Sequence, residues 1–89
     1  MFLATANKAK QLLYSSYIQR VQPDDIKHAL EDVKVLLADL SPGFRLLVDL
    51  SQVESIDLDS IPEIGRLMEV IDQSGVGMVV RVMRATSAM

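Results

Sequence analysis

The stretch Phe44 to Met83 decides the fold. It opens with Phe44-Arg45-Leu46-Leu47-Val48-Asp49-Leu50, a near-continuous apolar run. Such a run reads as a strand covered on both faces, which is the pattern of a parallel sheet. A loop, Ser51 to Asp59, separates it from Ser60-Ile61-Pro62-Glu63. This tetrapeptide has the form of a capping box, with serine as the cap and glutamate three residues on. The helix it starts carries Ile61, Ile64, Leu67, Met68 and Ile71 on one face, and Glu63, Arg66, Glu69 and Gln73 on the other. Gly65 at the edge of the apolar stripe is expected to let this helix approach the sheet closely. Gly75 ends the helix. Val76-Gly77-Met78-Val79-Val80-Arg81-Val82-Met83 is then a last strand. Strand, helix and strand make a crossover unit whose strands run parallel and whose connection is right-handed.

Working towards the N-terminus, Pro23-Asp24-Asp25 opens an earlier helix, with proline and two acids suited to a first turn. Ile26, Ala29, Leu30, Val33, Leu36, Leu37 and Leu40 fall within an arc of about 120° at 100° per residue. His28, Asp32 and Asp39 lie outside that stripe, and Val35 also points outward. Ser41-Pro42-Gly43 stops the helix. Before it, Leu12 to Ile18 is rich in β-formers, and residues 2–7 form a strand paired with it through the turn Lys8 to Gln11. The order β-β-α-β-α-β predicts an α/β domain, residues 1–89, with a mixed sheet and helices packed on it.

Composition narrows the function. A chain of 89 residues is one small domain. Twelve acids against nine bases leave a net charge of −3, which argues against nucleic acid, because phosphate binding needs a basic face. There is no polybasic patch for an anionic membrane. The longest uncharged apolar run, Val76 to Val80, is far too short to span a bilayer. The start of the chain lacks the charge order and the long apolar core of a secretory signal. With no cysteine and a single histidine, a thiolate zinc site, a multi-histidine metal site and a cysteine nucleophile are excluded. A reducing cytoplasm is the expected compartment.

Catalytic constellations are equally sparse. His28 belongs to the polar face of its helix, away from the strand ends, so it reads as a solvated histidine and completes no Ser-His-Asp set. The four glycines form neither a GxGxxG nor a P-loop. Asp57-Leu58-Asp59 superficially echoes the aspartate pair of haloacid dehalogenase-type phosphatases. There, however, the pair directly follows a long apolar strand, whereas Gln52, Glu54 and Ser55 interrupt the approach here. Asp49 echoes a phospho-accepting receiver aspartate without the acidic pair and the lysine that a receiver needs. No catalytic residue, cofactor or metal ligand is expected. The feature above background is the loop Asp57-Leu58-Asp59-Ser60, between a strand and a helix N-terminus. Its acids are suited to capping and to the helix dipole, and its place is where open α/β sheets bind partners or ligands.

At this loop the sequence resembles the STAS domains (sulfate transporter and anti-sigma factor antagonist). The likeness runs from Leu46-Leu47-Val48-Asp49-Leu50-Ser51-Gln52-Val53 through Ile56-Asp57 to Val79-Val80-Arg81-Val82, and covers about three quarters of the chain. In that family a hydrophobic-Val-Asp-Leu-Ser strand precedes a loop ending in Ile-Asp-Ser-Ser-Gly. The resemblance implies a non-catalytic bacterial regulatory module that binds another protein, a kinase or anti-sigma-type regulator. In the antagonist branch a serine at the start of the helix is phosphorylated, which adds about −1.5 to −2 charge and breaks partner binding. Asp57 matches the family aspartate, Leu58 the first serine, Asp59 the usual acceptor serine and Ser60 the glycine. The acceptor position thus holds an acid, either a mimic of a permanently modified state or the mark of a missing regulatory cycle. The contact surface implied is Asp57 to Ser60 with the outer face Glu63, Arg66 and Glu69. The alternative is a small-ligand or lipid-binding domain of the same fold, using the strand-end crevice.

The chain also ends sooner after its last strand than the family does. An uncovered apolar last strand is expected to be buried by a second copy across residues 76–89, with Arg81 and Arg84 at the rim.

Overall fold

The computed structural model describes residues 1–84. Its elements are β1 (Phe2–Asn7), β2 (Leu12–Val21), α1 (Pro23–Leu37), β3 (Arg45–Ile56), a single 3-10 turn (Leu58–Ser60), α2 (Ile61–Gln73) and β4 (Met78–Val82). The four strands form one sheet in the order β1-β2-β3-β4. β1 and β2 are an antiparallel hairpin, while β2, β3 and β4 run parallel. The chain is therefore an α/β domain with a mixed sheet.

Strand order dictates where the helices go. Both crossovers step the same way along the sheet, from β2 to β3 and from β3 to β4, and crossovers of one hand then put both helices on one face. α1 and α2 accordingly touch each other. Under them lie Phe2, Leu13, Tyr17, Leu46 and Val48 from the strands, against Ile26, Val33, Leu67 and Ile71 from the helices. Phe44, just before β3, is buried in the same core. Phe2 and Tyr17 meet edge to face, with ring centroids 4.9 Å apart.

Among the described residues no helix covers the other sheet face. The pleat and the register put Tyr14, Leu47 and Val80 in one row, and Leu3, Ser16, Asp49 and Val82 in the next. Leu3, Met78, Val80 and Val82 are exposed there. The Tyr14 hydroxyl donates to Asp49 Oδ2 across this face at 2.9 Å.

Several local expectations need correction. β3 runs on to Ile56, so most of the segment read as loop is strand, paired with β2 through to Val21↔Ile56 with two register shifts on the way. α1 ends at Leu37, and Leu40 lies in the turn beyond it. The Ser60–Glu63 capping box does not form. Ser60 is helical in its backbone and fully buried, and its hydroxyl donates to the Val21 carbonyl at 3.2 Å. The comparable bond is at α1, where the Asp25 carboxylate accepts from the Gln22 N–H at 2.8 Å. Gly65 makes no close approach, because a Cβ there would meet nothing within 4 Å.

Close packing occurs instead at the end of α2. Gly75 adopts φ +90°, a conformation that L side chains rarely take. Gly77 lies against the Gly43 backbone, and a Cβ there would come within 2.8 Å of the Gly43 carbonyl oxygen. The Gly77 N–H donates to Phe44 O and the Gly43 N–H to Gly75 O, so this backbone pair aligns β4 on β3.

The two glycines should thus respond oppositely to alanine. Gly77→Ala should destabilise by about 1–3 kcal/mol through overpacking against backbone. Gly65→Ala, in an exposed helix interior, should stabilise by about 0.5–1 kcal/mol. Urea denaturation of the two variants measures both, and equal signs would contradict this account.

Candidate functional site

The candidate site is assembled where β2 and β3 end side by side. The Val21 carbonyl accepts from both the Asp57 N–H (2.9 Å) and the Ser60 hydroxyl. The Ser60 N–H donates to the Asp57 carbonyl at 2.8 Å. These bonds roll residues 57–60 into one tight turn held on the end of β2. Arg20, one residue before Val21, then reaches the Asp57 side chain. Its Nε donates to Oδ1 at 3.0 Å and its Nη2 to Oδ2 at 2.9 Å. This two-point geometry is the strong form of an arginine–carboxylate pair. The hydrogen bonds from Arg20 hold the Asp57 carboxyl below the usual range, and the same contact raises the Arg20 guanidinium.

Asp57 is therefore occupied by Arg20 and does not cap the helix, since neither it nor Ser60 makes a side-chain cap bond. Leu58 and Asp59, fixed by the turn, face outward. Leu58 is 85% exposed and Asp59 is exposed beside it. Ser60, expected to belong to the contact surface, is inaccessible at 0%. On the outer face of α2, Arg66 donates to Glu63 at 3.0 Å and Gln73 donates to Glu69 at 3.3 Å. Glu63 is half-buried, whereas Arg66 and Glu69 are exposed. Val35, on α1, is 71% exposed, and His28 lies on the exposed side of that helix.

Asp49 has an architectural role. Its Oδ1 accepts from the Ser51 N–H (2.9 Å) and hydroxyl (2.6 Å), while Oδ2 takes the Tyr14 hydroxyl. The Ser51 bonds, followed by the one from Tyr14, lower the Asp49 carboxyl. No group of three or more His, Cys, Asp or Glu side chains among the described residues is arranged to hold a metal ion.

A second feature adjoins this turn on the helix side of the sheet. Val48, Leu50 and Ile56 of β3, Ile64 and Met68 of α2, Tyr17 of β2 and Arg81 of β4 line a cavity of about 210 Å³. Arg81 pairs with Val48 in the register, which places it on the helix-covered side. It therefore faces the opposite side of the sheet from Val80 and Val82. Arg84 is held elsewhere, donating from Nε to the Ser51 carbonyl at 3.1 Å.

Arg20 and this cavity escape sequence reasoning. Arg20 meets Asp57 because β2 runs three residues beyond Ile18, where the β-former run ends. The cavity residues carry ordinary core identities. Their one signal is the arginine at position 81, within an otherwise apolar strand. No family model, curated protein or solved structure matches the chain.

Burial pushes the Tyr17 phenol up to about 12 from 10.0. Between those values the folded state holds a proton that the unfolded chain has lost, so stability falls as pH rises. The contribution is fully present below pH 10, and about 2–3 kcal/mol should disappear by pH 12 and above. Urea midpoints at pH 9 and pH 11.5 should separate more for the wild type than for Tyr17→Phe, and equal separation would exclude this assignment.

Proposed function

We propose that the chain is a non-catalytic regulatory module of the cytoplasm that acts by binding another protein, as bacterial anti-sigma factor antagonists do. The observation that carries this reading is Leu58, a leucine 85% exposed on a turn held by backbone bonds and by the Arg20–Asp57 pair. A large apolar side chain held outward on a rigid turn suits insertion into a partner's pocket, as an interface anchor does. Asp59 beside it supplies the negative charge that phosphorylation would bring in the family, so the partner is expected to meet a permanently acidic surface. Arg66 and Glu69 extend that surface along α2. A kinase or anti-sigma-type regulator is the kind of partner implied.

The test is capture of native-lysate proteins on immobilised chain, followed by mass spectrometry. A partner held by the wild type should be lost with Leu58→Lys and kept with Asp32→Ala, a change on the exposed side of α1. Equal capture by all three proteins, or no capture by the wild type, would overturn the reading.

A second reading, a small-ligand or lipid-binding domain, is favoured by the cavity under α2.

The open face of the sheet supports self-association. All five residues of β4 are exposed, and β4 is an edge strand with Met78, Val80 and Val82 on the bare face. An apolar, unpaired edge of this kind tends to find a partner. A two-fold homodimer through β4 would bury the same patch on both copies. The part of the expected interface at residues 85–89 lies outside the described residues. Light scattering at micromolar concentration should give the mass of two chains, and that of one chain for Val80→Lys. A wild-type mass of one chain would refute the dimer.

A further inference from the structure

We propose that the cavity under α2 binds a small amphiphile with an anionic head, of the class of a medium-chain carboxylate. The proposal rests on the second reading above and specifies its ligand. Size is the first argument. An apolar cavity of about 150 Å³ accommodates benzene. The present one, at about 210 Å³, has room for an alkyl chain of roughly six to eight carbons. Leu50, Ile56, Ile64 and Met68 supply the apolar wall for that chain.

The polar groups decide the head. Just two lining residues carry them, Tyr17 and Arg81. Both are hydrogen-bond donors. Among the described residues Arg81 has no acid within 4.0 Å, and the Tyr17 hydroxyl takes part in no hydrogen bond. The raised phenol keeps that hydroxyl protonated through neutral pH. An ammonium head would be repelled by the guanidinium. A head without charge would gain no charge-assisted bond from the exposed guanidinium. A carboxylate accepts from a guanidinium in charge-assisted bonds, the strongest available to it. The sheet register accounts for the placement. Arg81 sits opposite Val48, on the side that carries the cavity, whereas the carboxylate of the neighbouring Asp49 is tied to Tyr14 and Ser51 on the bare side.

The experiment is an NMR titration of the full chain, methyl-labelled, with sodium octanoate, octanol and octylamine in turn. Octanoate should shift Leu50, Ile56, Ile64 and Met68 saturably, with one site and a Kd on the order of 0.1–1 mM, in keeping with a ligand of ten heavy atoms. Octylamine should bind at least about 10-fold more weakly. Arg81→Gln, at an exposed position, should weaken octanoate by roughly 3–10-fold and leave octanol unchanged. Octanol binding in the cavity without a preference for octanoate would overturn the anionic head and leave the ligand-binding reading intact. Shifts confined to Leu3, Leu47 and Val80 on the open face, or none in the cavity with any of the three compounds, would overturn both.

Discussion

Three parallel strands laid down in one direction constrain everything else in this molecule. β2, β3 and β4 are neighbours in chain order, so the two connecting helices fall on the same side and meet there. In a doubly wound sheet the strand order reverses, helices cover both faces, and a crevice opens at the reversal. Here there is no reversal. Among the described residues the sheet has one helix-covered face and one bare face, and its strand order shows no switch point. Apolar surface that a larger α/β protein would bury stays in contact with solvent at Met78, Val80 and Val82.

The turn at 57–60 shows how a short segment is fixed between the end of β3 and the start of α2. The Val21 carbonyl takes two donors from it, and Arg20 clamps its aspartate from the same strand end. The pair is exposed, so its contribution to stability is small and sensitive to salt. What it does achieve is geometric. With the backbone bonds satisfied and Asp57 paired, the chain has no local use for the side chains of Leu58 and Asp59, and they are left facing outward.

The two apolar surfaces differ in character. The bare face of β4 lies at the sheet edge and exposes Met78, Val80 and Val82, which suits another protein surface. The cavity beneath α2 is concave and carries two donors amid hydrocarbon, which suits a small molecule. They sit on opposite sides of the same strands, since alternate residues of β4 point to opposite faces. Val80 and Arg81, adjacent in the chain, therefore serve different surfaces.

The class of fold, the order of elements, the hairpin turn and the buried stripe of α1 were legible in the sequence, because periodicity and turn chemistry are local properties. So were the outward positions of Val35 and His28 and the exposed apolar edge at β4. Other features depended on contacts between segments far apart in the chain. Ser60 and Glu63 had the spacing of a capping box, yet Ser60 is drawn inward to Val21, 39 positions away. Gly65 looked like the close approach, but that role falls to Gly77, because the turn after α2 must pass the Gly43 backbone. Arg20 meets Asp57 only once parallel pairing has brought the ends of β2 and β3 together. The sequence by itself determined the order of strands and helices and which of their faces are apolar, while the far ends of β2 and β3 became strand only through their pairing. Only the tertiary structure decided which apolar face would be covered, where a cavity would remain and which charges would find partners, because those outcomes depend on strand register and crossover direction rather than on any local pattern.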